Sequence, residues 1–183
     1  MSLDFNLTEK TYLVNIFKTV IILLTMGHIV NQIHNLLIKK KKSIAVAESC
    51  TGGLLSNFLT QIPGSSQYFI LGVVVYSNKA KENILKIPAN IIAKRGAVSK
   101  NVAELLAKSV RLIAKADSGI GITGIAGPGG GSKEKPAGTV FIAIDTEDKK
   151  ICKKFNFSGS RTTIRKKSAL KALELLKGFI KNP

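Results

Sequence analysis

The chain reads as an α/β fold, a mostly parallel sheet covered by helices and carrying one antiparallel strand. Three observations predict it. From residue 44 onward, short apolar runs alternate with stretches of helical spacing, the pattern of strand–helix–strand units. Glycine- and serine-rich segments follow the first apolar runs directly, where such folds turn from strand to helix. The last two apolar runs are joined only by Thr146-Glu147-Asp148-Lys149, which reads as a hairpin and so reverses one strand.

Taken in order, the first forty residues come before that alternation. Tyr12 to Met26 is apolar apart from Asn15, Lys18 and two threonines, and reads as an amphipathic helix packing on the domain or on another copy. Its uninterrupted part, 19–27, is too short to span a bilayer. Asp4 and Glu9 stand where a secretory signal would be basic, so no secretion and no membrane are expected. Ile29, Val30, Ile33, Leu36 and Leu37 have helical spacing and run into Lys39–Lys42, cations suited to a helix C-terminus. Strands are expected near 44–47, 69–76, 118–123, 138–145 and 151–157. Helices are expected near 52–60, 79–86, 89–95, 100–115 and 161–180, with Gly96 stopping the short one and Ser99 capping the next.

Composition narrows the function. A hydrophobic content of 45% in 183 residues supports a packed core. Two cysteines, Cys50 and Cys152, form neither a disulfide framework nor a metal-ligand spacing, which places the chain in a reducing cytoplasm. The two histidines, His28 and His34, lie far from every glycine-rich loop, so no metal, no cofactor and no histidine triad are expected. The net charge of +17 raises nucleic acid as a partner. However, the lysines are spread along the chain and no basic–aromatic stacking surface accompanies them. The charge is read as a solvated surface that favours anionic small molecules.

The chemistry concentrates in three segments. Ala47-Glu48-Ser49-Cys50-Thr51-Gly52-Gly53 follows the first strand, Tyr76-Ser77-Asn78-Lys79 the second, and Thr123-Gly124-Ile125-Ala126-Gly127-Pro128 the third. All three fall at the carboxyl ends of parallel strands, where open α/β sheets bind ligands. A hydroxyl before Gly-Gly at a helix start suits phosphate or oxyanion binding. Taken alone, Ser49 or Thr51 as a plain helix cap, with the glycines turning the chain, explains that segment better, because these residues are common at helix starts. With no histidine at hand, Ser49 would need an amine as base. Lys79 serves if burial or neighbouring positive charge keeps it neutral, with Tyr76 relaying the proton or orienting the amine. An exposed helix lysine and a core-covering tyrosine are the structural alternatives. Cys50 is a rival nucleophile, or a small buried hydrophobe. The long loop from Gly124 to Ser132 reads as a backbone cradle for an anion or a mobile rim, and matches neither a P-loop nor a dinucleotide motif. Arg161 opens the last helix and is a candidate phosphate fork.

These segments, together with Pro63-Gly64-Ser65-Ser66, Gly96-Ala97-Val98-Ser99 and Glu134-Lys135-Pro136-Ala137-Gly138-Thr139-Val140, resemble the CinA C-terminal domain family of nicotinamide-nucleotide amidases. The likeness runs from about residue 29 to the C-terminus and leaves 1–28 as an extension. It implies a three-layer α/β/α sandwich, anticodon-binding-like, with strand order 2-1-3-4-5 and strand 4 antiparallel. It also implies hydrolysis of the carboxamide of nicotinamide mononucleotide to nicotinate mononucleotide and ammonia. Ser49 would be the nucleophile, assisted by Tyr76 and Lys79. Thr51, Gly52, Gly53, Ser65, Ser66, Thr123, Gly124 and Arg161 would contact substrate, with a homodimer as the expected assembly. Gly129 and Ser160 stand where the family often has aspartate. That departure keeps open a non-catalytic nucleotide- or RNA-binding module as the alternative.

Overall fold

The computed structural model describes residues 7–181, with side chains from residue 20 onward except 21–23 and 26. The expectations for residues 1–6 lie outside the described residues. Helix α1, Leu7–Lys40, is continuous, so the expected boundary at residue 28 falls inside it. Gly27 interrupts the apolar pattern without ending the helix, at a cost of about 1 kcal/mol relative to alanine. Among the described residues no helix is long and apolar enough to cross a membrane.

The strands are β1, Ile44–Glu48, β2, Phe69–Val74, β3, Ser118–Gly124, β4, Thr139–Asp145, and β5, Lys150–Asn156. They form one five-stranded sheet in the order β2-β1-β3-β4-β5. β1 pairs parallel with β2 and β3, while β4 is antiparallel to both β3 and β5. Order and direction agree with the expectation. The 145–150 connection is the expected hairpin, with Thr146 N–H bonded to Lys149 O at 2.9 Å.

Helices α2, Leu54–Leu59, and α6, Arg161–Lys181, share one face of the sheet with α1. On the other lie α3, Asn78–Leu85, α4, Ala89–Arg95, and α5, Lys100–Ala114. β3 shows why its sequence alternates glycine with isoleucine. Ile120 and Ile122 are fully buried in the α1–α2–α6 core. Gly119 and Gly121 face α5, where an added Cβ would stand 2.0 Å from Ala107 O and 2.3 Å from Ala103 O. Side chains there would hold α5 off the sheet, so the close helix–sheet contact requires glycine. This central packing fixes the carboxyl ends of β1 and β3 side by side.

Candidate active site

Ser49 lies just beyond β1 and is almost fully buried. Its N–H bonds to Ile122 O at 3.0 Å, and its carbonyl accepts from Gly52 N–H at 3.1 Å. Gly52 and Gly53 have φ of 62° and 91°, a left-handed turn that suits glycine and sends the chain into α2. Neither Ser49 nor Thr51 caps that helix. The N-cap is Gly53, without a side-chain bond, and the first turn is satisfied by Glu48. The Glu48 carboxylate, wholly buried, accepts from the N–H groups of Gly53 and Leu55 at 3.1 Å and of Ser56 at 2.8 Å, and from Ser56 Oγ at 2.7 Å. The helix N-terminus expected to receive a substrate anion is therefore already filled by the chain's own anion. Gly52 and Gly53 have committed their N–H groups internally, which corrects their reading as substrate donors.

The amine that reaches Ser49 is not that of Lys79. Lys79 is exposed, whereas Lys81 is 1% exposed and donates from Nζ to Ser49 Oγ at 3.2 Å. Nζ also donates to Val75 O at 2.9 Å and Tyr76 O at 3.2 Å. Ser77 sets the helical phase as N-cap of α3, accepting from Ala80 N–H at 3.0 Å. Two residues along a helix is a turn of roughly 200°, so Lys79 and Lys81 point to opposite sides. Burial pushes the Lys81 amine below its ordinary 10.5, and Cys50 opposes this weakly. One signal for Lys81 was in the sequence, since Leu85 lies four residues on and both are buried. The pair Ala80–Ile84 looked equally good, yet Ile84 is half exposed.

The other expected residues divide. Cys50 is buried with its thiol pushed up to about 12 by desolvation, which makes it a poor nucleophile. Gly124 lies against it, for a Cβ there would stand 3.0 Å from Cys50 Sγ. Tyr76 is exposed, and its phenol receives a hydrogen bond from Arg161 Nη2. Arg161 Nη1 donates to Gly127 O at 2.9 Å, so tyrosine, arginine and glycine-rich loop form one group on the carboxyl side of the sheet. Thr123 is buried and its hydroxyl donates to Ala97 O at 2.8 Å, a structural commitment. Thr51 is wholly buried, and its Oγ1 has no partner among the described residues.

Ser65 and Ser66 are not at this site. They form a 3-10 turn, Ser65–Gln67, immediately before β2. Because β2 runs parallel to β1, its start lies at the opposite end of the sheet from Ser49, about 20 Å away for a six-residue strand. Arg165 was missed altogether. Its Nε and Nη2 donate to Thr51 O at 3.1 and 2.8 Å, across from α6.

Comparison with known proteins bears on the family and the fold. The family model described as CinA C-terminal domain matches residues 27–180. A putative competence-damage inducible protein of Moorella thermoacetica is 52% identical over 134 residues, 73% of this chain and 32% of the relative. One of the same description from Caldanaerobacter subterraneus subsp. tengcongensis is 46% identical over 145 residues, 79% of this chain and 35% of the relative. The chain thus spans about a third of the length of the curated relatives it matches. Among solved structures, the competence damage-inducible protein A of Klebsiella pneumoniae superposes with a TM-score of 0.83 at 30% identity, covering 86% of this chain and 98% of that one. The competence/damage inducible protein of Agrobacterium tumefaciens gives 0.82 at 34% identity, over 84% and 94%.

Proposed function

The chain belongs to the CinA C-terminal domain family, and from that premise we propose that it is an amidohydrolase that splits the carboxamide of nicotinamide mononucleotide. The observation that carries this reading is the buried Lys81 amine on the Ser49 hydroxyl at 3.2 Å. Burial lowers the pKa of this lysine, with no ion pair to it among the described residues, and so moves it toward the neutral form that a general base for serine requires.

Lys81 Nζ takes the Ser49 proton as Oγ attacks the carboxamide carbon. The resulting oxyanion needs a donor that the fold has not already used. The Thr51 N–H gives no hydrogen bond to an acceptor among the described residues, and it stands in the same turn as Ser49. Collapse of the tetrahedral species passes the proton from Lys81 to the departing ammonia and leaves an ester on Ser49. Lys81, neutral again, activates the water that hydrolyses this ester to nicotinate mononucleotide. Tyr76 acts in this scheme through Arg161, holding the guanidinium where a 5′-phosphate can meet its remaining donors.

The test is direct. Pure protein incubated with nicotinamide mononucleotide should release ammonia and nicotinate mononucleotide, Ser49→Ala should release none, and free nicotinamide should be a poor substrate. No ammonia from the wild type would sink the reading. Equal rates on nicotinamide and its mononucleotide would remove the phosphate from it.

A further inference from the structure

The turn that carries Ser49 is gripped by opposite charges from two directions, and neither charge touches the Ser49 hydroxyl. Glu48 grips it from the sheet side. Its carboxylate accepts four hydrogen bonds from Gly53, Leu55 and Ser56, locking the first turn of α2 onto the end of β1. Arg165 grips it from α6, a helix more than a hundred residues away in the chain. Its Nε and Nη2 both fall on Thr51 O, and its guanidinium lies against the bare α-carbon of Gly52, where a Cβ would stand 3.0 Å from Nη2. Between the two grips lie Ser49 and Cys50, and among the described residues the only side chain that hydrogen-bonds Ser49 Oγ is Lys81.

We propose that Glu48 and Arg165 are positioning residues for the nucleophile, a two-sided clamp that holds the 49–53 turn so that Ser49 Oγ stays on the Lys81 amine. The inference rests on Ser49 as the nucleophile. The clamp accounts for two features of the turn together. A wholly buried carboxylate without a cationic hydrogen-bond partner is costly unless its oxygens are satisfied, and here the backbone satisfies them. A bidentate arginine on a single main-chain carbonyl is a geometric constraint rather than a charge pair, and lysine cannot reproduce it. Glutamine at position 48 fails for a related reason. It offers one acceptor oxygen and turns an NH2 group toward backbone N–H donors.

The experiment compares wild type, Arg165→Lys and Glu48→Gln by turnover and by a substrate-independent probe of Ser49. That probe is a fluorophosphonate, whose fluoride the serine oxygen displaces to form a phosphonyl ester read by mass spectrometry. Arg165→Lys should lose on the order of 10²-fold in both kcat and labelling rate, with KM and the pH profile unchanged, because a misplaced nucleophile slows every reaction it makes. Glu48→Gln should do the same, and if it does not fold, Arg165→Lys carries the test alone. Normal labelling with lost turnover or a raised KM would make these residues substrate contacts and overturn the inference. So would a lowered Tm with labelling and turnover both intact, which is a purely structural role. Wild-type labelling at Ser49 without ammonia release would sink the proposed substrate and leave the clamp standing.

Discussion

The two ends of the sheet treat a lysine in opposite ways, one buried at the carboxyl end and one exposed in an ion pair at the amino end. At the carboxyl end, Lys81 is enclosed with neutral partners, Ser49 Oγ and the carbonyls of Val75 and Tyr76. At the amino end, Lys42 meets Asp117 at 2.7 Å, and Asp117 also accepts from Ser43 N–H and Oγ at 2.8 Å. Nearby, Arg111 meets Asp145 at 2.7 Å, and Lys40 donates to Ile180 O at 2.6 Å at the end of α6. The hydrogen bond that Lys42 donates to Asp117 raises its amine above 10.5, while burial lowers that of Lys81. Paired charge ties segments together, whereas burial of an amine without an ion pair moves it toward the neutral form. The amino end is built for cohesion, and the carboxyl end carries the reactive pair of the proposed function.

The largest effect that would sharpen this contrast is on catalysis. Lys81→Met fills the same space without the amine and should lower kcat by on the order of 10³-fold. Lys79→Met, on the exposed side of the same helix, should change kcat by less than about twofold. The measurement is steady-state ammonia release for both variants. A reversed outcome would mean that α3 turns its other face to Ser49 and that the contrast between the ends is misdrawn.

A pH series comes next in size. In the proposed reaction the base is the neutral amine, so activity should rise with pH through the lowered value of Lys81 and level off above it. Stability follows the same group. The folded state holds the proton less tightly than the unfolded chain, so stability rises with pH between the folded value and 10.5. Lys42 has the opposite sign, its contribution being present below 10.5 and lost as pH rises through its raised value. Thermal melts of Lys81→Met against wild type should therefore show the methionine variant relatively more stable at acid pH. That advantage should shrink toward pH 10. A gap that is constant with pH would mean the amine is not destabilised by burial.

Much of this was legible in the sequence, and the exceptions have physical reasons. Strand alternation, the hairpin and the serine after β1 follow from local pattern. The choice between Lys79 and Lys81 does not, because it depends on helical phase, which the Ser77 cap sets. Glu48 was visible beside Ser49, but its role needed the knowledge that a glutamate side chain reaches back over the turn to Ser56. Arg165 required the path of α6 across the sheet. The place of Ser65 and Ser66 was legible too. Once β1 and β2 are read as parallel, a segment preceding β2 must lie at the end away from Ser49.

The smallest effect tests the amino end directly. Asp117→Ala removes the acceptor of Lys42 Nζ and of two groups of Ser43, at a position that is partly exposed. Hydrogen bonds of this kind are worth about 1 kcal/mol each, and solvent replaces some of them, so the loss should be about 1–2 kcal/mol. For a chain of this size that corresponds to roughly 3–6 °C in Tm. Turnover at a temperature well below the transition should be unchanged, because the full length of β1 separates Ser43 from Ser49. Ser66→Ala, at the same end and exposed, should move neither Tm nor KM. A raised KM for Ser66→Ala, or a loss of kcat in Asp117→Ala with the fold intact, would show that the amino end takes part in the reaction. The division between a cohesive end and a reactive end would then fail.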